Sequence, residues 1–376
     1  MTPRQRGQSG SLLVITLWLI VILSVLAVAI GRYLSLEVRI TKYRLAREEA
    51  KVLARSGVYL AMQRLAQDAA SDPSGKKEEY DWLGDEWAYV RNEASPETWV
   101  VPLEGGDRDS GGARRQLTIH IEDEERAVSL NAEWAEGKDQ ALLWQTAQGV
   151  LDGVGVADPI GVAAAIRDYQ DSDKGADDPG IAPPEAAKNA PIRAIEELWD
   201  IPFINQLDDA KLEETLRTQT TVWTDGSINI NTATEPVLIA LFARAFPDDQ
   251  GGRQRGDALA RAILDFRWDP DDGGDRAQGD CFVQLGGVVS TKSGGTPGQV
   301  VESDLPWVMS GDVGNVLVVS SNYFTVRASG EVSPEGTPGQ PSVRYEVEAV
   351  VHRGVKEDPK IELRDIPFRV LAWREG

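Results

Sequence analysis

One cysteine, Cys281, and two histidines, His120 and His352, stand in a chain of 376 residues. A lone thiol excludes an intrachain disulfide and a multi-cysteine metal site. Both histidines fall in alternating, strand-like runs and read as structural, which leaves little imidazole for zinc or general-base chemistry. There is no nucleophile elbow, phosphate loop or histidine-based dyad, so the sequence offers no support for an enzyme. Basic residues are outnumbered, 39 against 60 acidic ones, for a net charge of −21. Such a body is a poor partner for nucleic acid or for anionic head groups, which need clustered Lys and Arg. Proline is missing from Arg32 to Ala70, where glycine occurs once, at Gly57. Long uncharged runs are missing too, with one exception.

That exception is Ser11 to Ile30, SLLVITLWLIVILSVLAVAI. At about 1.5 Å per residue, such a helix covers roughly the 30 Å of a bilayer's hydrocarbon core. A secretory signal is the competing reading, with Arg4 and Arg6 as its basic region and Ala27-Val28-Ala29 as its cleavage site. The apolar cores of cleaved signals are shorter, about 7–15 residues. The segment after the span favours an anchor: Ala46, Ala50, Leu53, Gly57, Leu60, Ala61 and Leu65 recur at spacings of three and four, one stripe of an amphipathic helix. The span and the stripe together predict a single helix of about sixty residues, half in lipid and half on a soluble domain. Charge does not orient it, because Arg4 and Arg6 precede the span while Arg32, Arg39, Lys42, Arg44 and Arg47 come after it.

Strand signals gather at the two ends of the remaining chain. Trp87–Val90, Thr98–Val101 and Gln116–Ile121 alternate soon after the helix; Val316–Val319, Tyr323–Arg327, Ser342–Val351 and Phe368–Trp373 alternate near the end. Between them the pattern is helical. The simplest fold is α+β, a long N-terminal helix on an antiparallel sheet interrupted by a large helical insertion. The expected divisions are a leader (1–10), the two halves of the helix (11–30 and 31–70), the first strands (71–127), the insertion (128–313) and the remaining strands (314–376).

The insertion repeats itself. Val128-Ser129-Leu130-Asn131 leads through helices to Ile166-Arg167-Asp168-Tyr169, and Ile228-Asn229-Ile230-Asn231 leads over a similar distance to Ile263-Leu264-Asp265-Phe266. The repeat implies two related lobes, about 128–220 and 227–313. Thr232 and Glu235 fit a capping box, with Pro236 in the first turn. Trp134, Trp144, Trp199 and Trp268, four of eleven tryptophans, read as core. The first lobe ends in an acidic loop, Asp168, Asp171, Asp173, Asp177 and Asp178, with Glu185 beyond. Alternating carboxylates on a glycine-containing loop can converge on calcium, although a solvated acidic loop has the same composition. In the second lobe Asp265, Asp269, Asp271, Asp272 and Asp275 are looser, and the solvated reading is favoured. Asn229-Ile230-Asn231-Thr232-Ala233 is also similar to the opening of helix-hairpin-helix domains, which would make the chain a membrane-tethered DNA-binding protein of an uptake or pilus system. The glycine hairpin such domains need is replaced by Phe242–Asp249, which carries acid.

Taken together, the leader ending in Gly10, the uncharged span from Ser11, the long helix, the inserted repeats, Ser227–Thr232, the Asp168–Asp173 run and Ser321-Asn322-Tyr323-Phe324 resemble the K-type minor pseudopilins of bacterial type II secretion systems. The resemblance implies a non-enzymatic subunit at the pseudopilus tip that initiates or caps assembly with other minor pseudopilins, for export of folded proteins from the periplasm. It implies cleavage by prepilin peptidase between Gly10 and Ser11, with methylation, and a single pass of the inner membrane with the bulk in the periplasm. The fifth mature position, Ile15, replaces a glutamate that most pseudopilins use in assembly, as K-type members do. Ile15, Ala46, Ala50, Leu53 and Leu60 form the expected assembly helix. Calcium is the implied cofactor, at Asp168, Asp171, Asp173 and Glu185. No nucleic acid is expected as a partner.

Overall fold

The computed structural model describes residues 9–69, 80–88, 98–101, 115–171, 187–207, 209–246, 251–267, 280–285, 289–294, 296–333, 342–354 and 368–376. The chain opens on one unbroken helix, α1, Ser9–Asp68. Sixty residues without an internal proline leave its hydrogen-bond ladder uninterrupted, about 90 Å of helix. Its first half projects alone. From Leu12 to Leu45 the side chains are exposed, and burial begins at Ala46.

Strands β1 (Trp99–Val101) and β2 (Arg115–Asp123) come next. The insertion begins with β3 (Val128–Ser129), α2 (Gln140–Val154) and α3 (Pro159–Gln170) and continues through α4 (Pro202–Gln206), α5 (Ala210–Thr218) and β4 (Thr220–Thr221). Its second part holds β5 (Ile228–Asn229), α6 (Glu235–Phe242), α7 (Gly252–Arg267), β6 (Phe282–Gln284), β7 (Ser290–Thr291), α8 (Gln299–Met309) and β8 (Leu317–Val318). Strands β9 (Tyr323–Val332), β10 (Val343–Arg353) and β11 (Phe368–Glu375) return to the sheet. Its order is β1-β2-β9-β10-β11, antiparallel throughout. Asp123 and Phe324 are register partners, so the insertion leaves and re-enters at the two sides of a single strand turn.

Alternation decides the two faces of the sheet. Leu117, Ile119 and Ile121 of β2 and Phe324, Val326 and Ala328 of β9 are buried under α1. The intervening residues, such as Thr118 and His120, are half-buried on the other face. The insertion has its own core, and it is continuous across both lobes, from Val128 through Val150, Phe242 and Ile263 to Leu317.

The fold corrects several expectations. Trp87 and Ala88 lie in a turn, where Trp87 packs edge-on against Phe324 at 5.2 Å, while Tyr89 and Val90 lie outside the described residues. The run Val316–Val319 does not join the sheet: Leu317–Val318 pairs in parallel with Ile228–Asn229 and closes the second lobe, which therefore reaches past 313. Short strand pairs thus punctuate an insertion whose sequence pattern is helical. Parallel partners distant in sequence leave no local periodicity to read. The capping box does not form either. Thr234 is the N-cap of α6, without a side-chain cap bond, and the Thr232 hydroxyl donates to Asp123 instead. Trp134 is half-exposed rather than core, Trp144 is buried, Trp199 packs partly buried on the core, and Trp268 is outside the described residues.

Candidate functional site: the packed helix, the junction and the acidic loop

The stripe on α1 meets its own sheet. Ala46, Ala50, Ala54, Val58, Ala61 and Leu65 are buried against it, and Leu53 and Leu60 pack at the margin. Small residues let the two backbones approach closely. A Cβ on Gly330 of β9 would lie 2.2 Å from the Ala50 carbonyl oxygen, and one on Gly57 would lie 2.8 Å from Ala328 Cβ. Of the expected assembly-helix residues, Ala46 and Ala50 are thus covered by the chain's own sheet, while Leu53 and Leu60 are covered only in part. The opposite face carries exposed Leu45, Val52 and Tyr59 at heptad spacing. Ile15 lies exposed on the apolar span, and Gly10 and Ser11 lie in the first turn of α1.

Where α1 ends, the insertion begins, and a buried polar junction ties them. Arg353, at the end of β10, donates to both carboxylate oxygens of Asp81 at 2.7 and 2.6 Å, to the Ser321 carbonyl at 2.6 Å and to the Leu65 carbonyl at 3.2 Å. The Ser321 hydroxyl donates to Asp123 at 2.6 Å, and the Asn229 amide donates to Ser321 Oγ at 2.8 Å and to the Asp81 carbonyl at 3.1 Å. Helix, linker, sheet and second lobe meet in one network. Asp68, Asp81 and Asp85 bring carboxylate oxygens within 4.8 Å of one another. The Arg353 guanidinium stands on that cluster and supplies a cation from within the chain. Burial and the neighbouring Asp85 and Asp81 push the Asp68 carboxyl well up, and burial lifts Asp123 to about 6. Sequence reasoning missed this junction because its members come from distant segments, and only Ser321 and Asn229 fell in motifs.

The two lobes share a hydrogen-bond scheme. Asn131 donates to the Ile192 and Val222 carbonyls at 2.9 and 2.7 Å and accepts from the Ile192 N–H at 2.8 Å. Asn231 donates to the Phe282 and Val319 carbonyls at 2.8 and 3.3 Å and accepts from the Phe282 N–H at 2.8 Å. Each asparagine clamps a returning segment beside a parallel strand pair, β3–β4 or β5–β8. Gln170, the last residue of α3, donates to the Leu130 carbonyl, and Arg267, the last residue of α7, to the Ile230 carbonyl, each at 2.7 Å. The Asn-Ile-Asn resemblance to a DNA-binding opening is absorbed by these internal roles.

The acidic loop starts at the end of α3. Asp168 is buried there and Asp171 is the C-cap residue, while Asp173 and Glu185 lie outside the described residues. Beyond the loop the chain is tied back to the helix end, where the Lys188 and Asn189 N–H groups donate to the Tyr169 carbonyl at 2.8 and 3.2 Å. Asn189 takes a left-handed conformation, φ +51°, which asparagine tolerates. Two carboxylates at the negative end of a helix suit a hard cation with oxygen ligands. In the second lobe Asp265 is exposed, and Asp269, Asp271, Asp272 and Asp275 lie outside the described residues.

A cleft of about 340 Å³ separates the first lobe from the outer face of the sheet. It is bridged by Arg374 of β11, which donates to Glu196 at 2.7 and 3.0 Å. That bond, with Arg217 beside it, holds the Glu196 carboxyl down at about 2. The cleft's arginines Arg217, Arg327 and Arg374 each face glutamates, so it has no surplus charge for an ionic ligand.

This arrangement has relatives. No protein-family profile matches the chain. It is 24% identical over 246 residues to the type II secretion system protein K of Pseudomonas aeruginosa, covering 63% of this chain and 69% of that one. Among solved structures it matches a chain of the GspK-GspI-GspJ complex from the type 2 secretion system of enterotoxigenic Escherichia coli. The TM-score is 0.54 at 18% identity, over 89% of this chain and 99% of that chain. Sequence and fold support a K-type minor pseudopilin. Both relatives are components of a secretion system, and the Escherichia coli protein was solved in complex with two others.

Proposed function

We propose that the chain is the tip subunit of a type II secretion pseudopilus, starting or capping assembly with other minor pseudopilins for export of folded proteins from the periplasm. One observation carries the reading: where the insertion is spliced in. It joins the sheet at Asp123 and Phe324, level with Leu65 and the end of α1, the end farthest from the apolar span. With the span in the inner membrane, the two lobes stand at the distal end, where a subunit stacked above would need to fit. Such a subunit needs no partner above it, and Ile15 offers no carboxylate to recruit one. In this reading prepilin peptidase cuts after Gly10, the new terminus at Ser11 is methylated, and the folded body lies in the periplasm. Calcium is held at the end of α3 by Asp168 and Asp171, with Asp173 and Glu185 completing the set, and its role is to fix the first lobe rather than to react.

The test is the mature N-terminus of the membrane-extracted protein. Ser11 is expected, and Gly10→Val should leave the leader attached. A terminus at Ile30, left by signal-peptide cleavage after Ala29, would overturn the reading, because no span would remain.

A further inference from the structure

The charge of this acidic chain is unevenly placed. Between Arg32 and Arg47 five basic residues face one acidic one, Glu37. All are exposed; Arg32, Glu37, Arg39, Lys42 and Arg44 lie on the free length of α1, and Arg47 lies just past Ala46, where burial begins. Higher on the helix, over the sheet, basic side chains are paired: Lys51 and Arg55 with Glu375, and Arg64 with Glu86. Lower on the helix, Arg32, Arg39, Arg44 and Arg47 make no ion pair among the described residues. Tyr33, Leu34, Leu36, Val38, Ile40 and Tyr43 interleave them, each between 41% and 61% exposed. Apolar surface thus continues past Ile30 while cations accumulate on it.

We propose that Arg32–Arg47 is a basic collar that docks on the anionic phospholipid head groups of the leaflet facing the folded body. The proposal rests on reading residues 11–30 as a membrane span. Arg32 lies about 3 Å along the helix past Ile30, and Arg39 and Lys42 lie within roughly 15 Å more. That distance is about one head-group layer plus one Debye length. Arg44 and Arg47 stand higher and reach down along their own apolar stems. Tyr33 and Tyr43 bring the polar-tipped aromatic rings that settle at such interfaces. At about 100° per residue the five cations spread over more than half of the helix circumference. A partner helix covers one stripe, whereas a lipid surface surrounds the whole helix. An acidic protein is therefore the poorer fit. The collar also accounts for a charge pattern that the positive-inside rule leaves without direction: these residues serve binding on the far side.

The experiment uses the full chain in nanodiscs of equal phosphatidylcholine and phosphatidylglycerol, extracted into mild detergent, with retained lipid counted by native mass spectrometry. A basic residue at an anionic surface is worth roughly fivefold. The wild type should therefore retain phosphatidylglycerol over phosphatidylcholine by about tenfold or more. Combined Arg32→Gln, Arg39→Gln and Lys42→Gln should lower the ratio by about tenfold or more, with the thermal melt of the body unchanged because none of the three is buried. Equal retention of both lipids by the wild type overturns the collar while leaving the span intact. A chain that enters no disc and carries no lipid overturns both the span and the collar. Equal lipid retention together with binding of polyglutamate to the wild type but not to the variant overturns the lipid reading in favour of an acidic protein.

Discussion

At the scale of single residues, the junction beneath the insertion concentrates the chain's electrostatics. Asp68, Asp123 and Glu125 are all shifted upward, in each case first by burial, which disfavours the charged form. For Asp123 the folded value is about 6 against an ordinary 3.8, despite donated hydrogen bonds from Ser321 and Thr232 that pull it down. The folded chain therefore holds a proton that the unfolded chain has lost. The stabilisation is complete below about pH 4 and disappears as pH rises through 6. Asp123→Asn keeps an acceptor for the Glu125 N–H and removes the titration. The unfolding free energy of this variant, from denaturant titrations, should fall less than that of the wild type between pH 4 and pH 7, by an amount on the order of 3 kcal/mol; an unaltered pH dependence would sink the assignment. Arg353 is the opposite case, a buried cation whose partners are already in place. Arg353→Met leaves Asp81 and Asp68 without it and should cost about 3–5 kcal/mol in a urea titration. A loss within experimental error would show that the cluster is neutralised by other means.

At the scale of elements, the contact between α1 and the sheet depends on missing side chains. Gly330 and Gly57 allow helix and strand to touch where a methyl group would overlap backbone or Cβ atoms. Gly330→Ala meets the Ala50 carbonyl and the Ala54 nitrogen, neither of which can turn away. The helix must lift, for a loss of about 1–3 kcal/mol. Chemical denaturation measures it, and an unchanged midpoint would mean that the helix is not held there. This element was readable in advance: a proline-free length, with one glycine beyond Arg32, and a three-four stripe dictate a long helix with one packed face. Which object the stripe packs on was not readable, because periodicity names a buried face and not its cover. The asparagine clamps show the same division. Asn131 and Asn231 stood out as repeated letters, but their hydrogen-bonding partners, Ile192 and Phe282, carry no signal of their own.

At the scale of the whole molecule, two bodies with separate cores are joined at one sheet turn and bridged by Arg374 and Glu196. If calcium fixes the first lobe, removing it should act on the insertion and not on the helix-sheet body. A cation present at a hundred times its dissociation constant stabilises by about 2.7 kcal/mol. Chelation of the full chain should lower the insertion's melting temperature by several degrees, calcium should restore it, and Asp168→Asn should abolish the response. Identical melts with and without chelator would remove calcium from the account.

The sequence by itself determined the apolar span, the sixty-residue helix, the α+β class, the alternating strands and the duplicated lobes. These are properties of period and composition, which act locally and therefore leave local marks. Only the tertiary structure decided that the stripe is consumed by the chain's own sheet and that Leu317–Val318 closes a lobe instead of extending the sheet. It alone brought Asp81, Asp123, Ser321 and Arg353 together. Those outcomes depend on which distant segments become neighbours, and burial then sets the energies of groups that look ordinary in the linear chain.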